Sequence, residues 1–226
     1  IRNFWRAIVI DRCRQSGSGP NGLHTDSLRA TSVHKSGTRP KLIGAFLIIL
    51  GLLVPITATH AQQVLDLERL TGLQAQKMMQ DGELTSVQLT NAYIDRIEAL
   101  NKSGPGLNAV TQLNPNALKE AEASDKRRAM GYRLGPADGL PVLLKDLIDV
   151  KGMYTSNGNY SLRHSFPEDD AGIVKKLRAS GVVILGKLGL SEFANSFGSQ
   201  PSGFSNLTGQ VLHAFDADQN PSGSSS

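Results

Sequence analysis

Cysteine is nearly absent from this chain, with Cys13 the single one in 226 residues. It stands in the N-terminal leader, so residues 62–226 hold no thiol for a disulfide, a thiolate metal site or a cysteine nucleophile. Their stability has to come from packing, and the chain is long enough to bury a core. No methionine precedes Met78. No internal repeat and no charged tail are present. The apolar run 42–54 is thirteen residues long and interrupted by Gly44 and Gly51, short of the roughly 20 residues that span a bilayer.

The charge is unevenly placed. Residues 1–61 carry 8 Lys or Arg against 2 Asp or Glu, whereas residues 62–226 carry 16 against 18, so the formal net charge of +4 belongs to the leader. A basic leader on a slightly acidic body argues against nucleic acid as a partner. Arg39 and Lys41 precede the apolar run, and Pro55 and Thr59-His60-Ala61 follow it, with small residues at the two positions a signal peptidase reads. Residues 39–61 are therefore read as a signal peptide cleaved after Ala61, with export to the periplasm or the outside and only transient contact with a membrane. Residues 1–38 mix Ser, Gly, Arg and Thr without periodicity and are read as a non-native leader. Our hypothesis is translation from upstream of a true start, with a non-ATG start at Val33; residues 1–30 recovered by N-terminal sequencing of the native precursor would refute it.

Beyond the leader, helix and strand signals alternate. Thr71 with Gln74, and Thr85 with Gln88, each form a capping box; the first helix is expected to stop near Gly82. The second carries Val87, Tyr93, Ile94, Ile97 and Leu100 on one face up to Asn101. Residues 107–113 read as a strand and 117–130 as an exposed, charge-rich helix ending at Gly131. Asp170 is expected to cap a helix through Val174 and Leu177 to Gly181, directly followed by a short buried strand at 182–185. Strand and helix in turn imply an α/β sheet covered by helices.

Two motifs carry chemistry. Gly139-Leu140-Pro141-Val142-Leu143-Leu144-Lys145-Asp146 places a lysine among apolar residues, with Leu147 and Ile148 beyond. A lysine with an ordinary pKa near 10.4 is neutral in only about one molecule in a few thousand at pH 7. An apolar setting disfavours the ammonium and makes the amine available as a base. The plain alternative is a solvated charge, or an ion pair with Asp146 or Asp149. The second motif, Asn220-Pro221-Ser222-Gly223-Ser224-Ser225-Ser226, has linker chemistry by itself, but the preceding residues from Phe215 to Gln219 are not linker-like.

These two motifs, with Gly186-Lys187-Leu188 and Ser191-Glu192-Phe193-Ala194 between them, resemble the amidase signature family, serine hydrolases that use a Ser–Ser–Lys relay. The resemblance runs over residues 64–226. It implies a mixed β-sheet covered by helices on both faces, in a full protein about twice this length. Residues 62–226 are then the N-terminal part of an amidase domain, and strands pairing with 182–185 are among the parts expected beyond residue 226. The resemblance implies that Lys145 is the base and Ser224 the relay serine, held on a cis peptide bond eased by Gly223, with Ser225 as the alternative register. The nucleophilic serine and the oxyanion hole would follow about two dozen residues after Ser224, so this stretch alone is expected to be inactive.

Amide hydrolysis needs a nucleophile, a base, a proton for the leaving amine and donors for the oxyanion. The relay and backbone amides supply these, so no metal or cofactor is expected. A small-molecule or peptide amide is the expected substrate, with no reading of oligomeric state. Two alternatives stay open: an amidotransferase subunit of the glutamyl-tRNA type, and a non-catalytic relative that binds through the same fold. Ser191 and Glu192 read as a helix start and its first-turn acid, and His213 as structural.

Overall fold

Two capping boxes open the ordered sequence of elements. The computed structural model describes residues 65–196, 198, 200–222 and 224; Cys13, the leader and the signal peptide lie outside them. Thr71 accepts the amide of Gln74 while Gln74 reaches back to the Thr71 amide, and helix α1 runs Gly72–Asp81, closed by Gly82 at φ 78°. Thr85 and Gln88 repeat the device for α2, Ser86–Ile97. A wider π-type turn, Glu98–Lys102, continues it. Val87, Tyr93, Ile94 and Ile97 pack as their spacing predicts, towards the sheet. A second line was not evident from that spacing: Leu89 lies with Leu84, Ala75 and Met79 in a separate cluster that joins α2 to α1.

The sheet has three strands in the order β1-β3-β2. Strand β1 is Val110–Leu113, β2 is Pro141–Lys145 and β3 is Val183–Leu188. β1 runs antiparallel to β3 and β2 parallel to it, so the sheet is mixed. β3 is thus paired on both sides, and its partners come from earlier in the chain, which corrects the expectation of partners beyond residue 226. It also extends past the predicted 182–185 to take in Gly186 and Lys187. Gly186 is required there: a Cβ would stand 2.2 Å from the Gln112 carbonyl oxygen of β1.

Helices cover both faces. Val183 and Leu185 pack with Ala117 and Ala121 of α3, Ala117–Ala129, and with α2. Ile184, Leu144 and Val182 pack with Val174 of α4, Gly172–Ala179, and with Val150 and Met153. Helix α3 is therefore not the exposed helix its charges suggested. Ala117, Ala121 and Ser124 form a buried small-residue face that lets the helix approach the sheet. Truncating a buried aliphatic such as Ile184 to alanine typically costs about 2–5 kcal/mol.

Ion pairs tie the layers together. Glu120 of α3 accepts the amide of Ile184 at 2.9 Å and pairs with Arg178 of α4. Arg178 also holds Asp170 at 2.9 Å. Asp170 does not cap α4 as expected: Ala171 is the N-cap residue, and Asp170 accepts the Lys151 amide at 2.8 Å. Arg127 grips Asp138 through two nitrogens, at 3.0 and 2.7 Å. Burial pushes the Asp138 carboxyl up, but the Arg127 hydrogen bonds and the Leu134 amide together outweigh it and hold the group below its ordinary value.

A candidate lysine–serine active site

Lys145 closes β2, so the sheet fixes its backbone while its side chain leaves the last strand position. The residue is half-buried. Its Nζ donates to the Oγ of Ser224 at 3.1 Å across 79 positions of sequence. Burial alone pushes the Lys145 amine below its ordinary 10.5. None of the ion pairs among the described residues includes Lys145. An amine that is desolvated, free of a carboxylate and in contact with a hydroxyl can exchange a proton with that hydroxyl.

The loop that brings Ser224 there is shaped locally. Asn220 Oδ1 accepts the Ser222 amide at 2.8 Å, an Asx turn, and Ser222 itself stands at φ 74°. Gly223 and Ser225 lie outside the described residues, as do the peptide bonds on either side of Ser224 and the alternative register at Ser225. Upstream, His213 Nδ1 accepts the Asp216 amide at 3.2 Å and its ring meets Phe215 edge-on, a turn-forming role as expected.

An open cavity of about 620 Å³ borders the site, lined by Ala194, Asn195, Ser202, Asn220, Ser222 and Ser224. Its far wall departs from the sequence reading. Ser191 and Glu192 do not start a right-handed helix, because Phe193, Ala194 and Asn195 all have positive φ, at 49°, 55° and 63°. That conformation is costly for residues with a Cβ. The anchors on either side hold it: Ser191 Oγ accepts the Gly203 amide at 2.8 Å, and Glu192 binds Asn159 and the Asn206 amide. A second cavity of about 400 Å³, lined by residues such as Ile97, Asn101, Val110 and Gln112, contains neither Lys145 nor Ser224. Among the described residues, no group of three His, Cys, Asp or Glu is placed to hold a metal ion.

Neither predicted acidic partner pairs with Lys145. Asp146 turns the other way and, fully buried, binds Lys187 at 3.2 Å. Lys187 also donates to the Tyr154 carbonyl and to Thr155 Oγ1, each at 3.1 Å. Asp146 accepts the Ser156 hydroxyl and, at 3.3 Å, the Ser156 amide. The sequence reading missed this cluster. The available signal was a charged residue inside the buried run of β3.

A mixed sheet carrying a lysine at a strand end, in hydrogen-bonding contact with a serine of a polar loop, defines an α/β protein with a candidate Ser–Lys proton relay. The Amidase family profile matches residues 88–226, and the chain belongs to this family, the amidase signature proteins. The chain is 45% identical over 148 residues to the probable amidase of Arabidopsis thaliana, covering 63% of this chain and 28% of that one. It is 37% identical over 161 residues to a glutamyl-tRNA(Gln) amidotransferase subunit from Acidothermus cellulolyticus, covering 71% and 30%. The solved native peptide amidase of Stenotrophomonas maltophilia superposes with a TM-score of 0.67 at 44% identity, over 70% of this chain and 32% of that structure. The chain thus spans about three tenths of the length of the relatives it matches.

Proposed function

We propose that the protein hydrolyses a carbon–nitrogen amide bond through a serine acyl-enzyme, with Lys145 as base and Ser224 as proton shuttle. The nucleophilic serine and the oxyanion donors are assigned to sequence following residue 226. In the acylation step the nucleophile passes its proton to Ser224 Oγ as Ser224 passes its own to neutral Lys145. The serine oxygen adds to the carbonyl, and the leaving amine departs with the proton returned through Ser224. Water then repeats the sequence on the ester to release the carboxylate. The observation that carries this reading is the 3.1 Å contact between Lys145 and Ser224, made by a lysine with no acidic partner among the described residues.

Determining the gene sequence beyond codon 226 comes first. A serine in a glycine-rich segment about two dozen residues on is expected, and its absence would sink the assignment. With the full-length protein in hand, Lys145→Ala should lower kcat/KM on a peptide amide by about 10²–10⁴-fold, the range for losing a general base, with an unchanged circular dichroism spectrum. Full activity in that variant would remove Lys145 from the mechanism.

The likeness to glutamyl-tRNA(Gln) amidotransferase subunits supports a second reading, in which ammonia is delivered to a misacylated tRNA. Export, which we also propose, argues against it, because that substrate is cytosolic. A reporter fused to residues 33–61 that stays inside the cell would reverse the preference.

A further inference from the structure

The cluster around Lys187 lies beside the proposed site and takes no part in the relay. An ammonium has three donors and no acceptor. Lys187 Nζ meets three acceptors, Asp146 Oδ1 at 3.2 Å and the Tyr154 carbonyl and Thr155 Oγ1 at 3.1 Å each. That is the surrounding of a protonated lysine. Its side chain is 0% exposed and that of Asp146 is 1% exposed, a burial that a charged group tolerates only when paired and hydrogen-bonded.

Asp146 is also held through its backbone. Its amide donates to the Leu188 carbonyl at 3.0 Å, and its carbonyl accepts the Asn157 amide at 3.0 Å. The pair thus fastens the end of β2 to β3 and to the turn at residues 154–158, one residue beyond Lys145. The other titratable groups acting on the pair are Asp149, which favours the Lys187 ammonium, and Tyr154, whose phenol is pushed up by burial and by Asp146. Burial opposes them at Lys187, lowering its amine despite Asp146.

We propose that Lys187 is a positioning residue for Lys145: by neutralising the buried carboxylate of Asp146 and locking the end of β2, it leaves the Lys145 amine without an acid to hold its proton. The proposal rests on the base role assigned to Lys145 above. Without the Lys187 charge, Asp146 would be an uncompensated anion adjacent in sequence, and a nearby opposite charge raises a lysine's affinity for its proton.

Two experiments on the full-length protein test it. In a lysine-detected NMR titration upward from about pH 6, Lys145 should lose its proton before Lys187 does; Lys187 titrating first, or together with it, overturns the proposal. This readout needs no activity, so an inactive wild-type protein would defeat the proposed function and still leave the present inference to be decided. In the pH profile of kcat/KM, Lys187→Met should move the acidic limb upward by about one unit, the low end of the effect of a neighbouring charge, and adding Asp146→Asn should return it. An acidic limb that stays put in Lys187→Met while activity falls equally at all pH values would make the pair purely structural. Should Lys187→Met fail to fold, the neutral double variant decides: it must keep the wild-type limb, and a displaced limb overturns the inference.

Discussion

Lys145 and Lys187 lie one register step apart in neighbouring parallel strands, yet their surroundings are opposite. Leu144 stands beside Lys187, and Lys145 beside Leu188. Lys187 is fully buried with every donor occupied, one of them by a carboxylate. Lys145 is half-buried and donates to the Ser224 hydroxyl, and among the described residues no acid pairs with it. Burial pushes both amines down, and at Lys187 alone an acid pulls back. The difference teaches that desolvation by itself does not mark a lysine for chemistry. The partner decides: a carboxylate makes a buried lysine a structural cation, whereas a hydroxyl leaves it free to give up its proton.

The comparison can be broken by exchanging the charges for packing. Lys187→Met strands the Asp146 carboxylate, and removing one partner of a buried pair typically costs about 3–5 kcal/mol. Lys145→Met removes no ion pair and should fall within about 0.5 kcal/mol of wild type, as for sites away from such features. Urea denaturation of both full-length variants measures the gap, and equal losses would erase the distinction. Next door on β3, Gly186→Ala would drive a Cβ into the Gln112 carbonyl and should cost about 1–3 kcal/mol, the range for overpacking. A melting curve unchanged from wild type would show that β1 can move aside.

A subtler test uses Asp138, another buried carboxylate held by a cation. Its folded value lies below the ordinary 3.8, so its stabilisation is present above that pH and is lost as pH falls through the folded value. The stability difference between wild type and Asp138→Asn should stay flat near neutrality and shrink only below about pH 4. A difference that shrinks already between about pH 6 and 5 would contradict the pairing with Arg127.

Legibility differed between elements for physical reasons. The capping boxes at Thr71 and Thr85 are local, each closed by a residue three positions on, so the sequence carries them whole. Asp170 looked like another cap, yet it serves Lys151 and Arg178, because a carboxylate goes to the strongest donors that folding brings near. The left-handed turn at residues 193–195 was not visible, since no propensity favours φ > 0 at Phe193 or Ala194. It is held from outside by Gly203, Asn159 and Asn206.

The sequence by itself determined the capped helix starts at Thr71 and Thr85, the alternation that makes an α/β sheet, and the two motifs that contain Lys145 and Ser224. These depend on side-chain chemistry at short range and on apolar spacing. Only the tertiary structure decided which lysine meets which partner. Asp146 follows Lys145 directly, but successive residues at a strand end point apart. The carboxylate therefore went to Lys187, 41 positions away, and the amine to Ser224, 79 positions away.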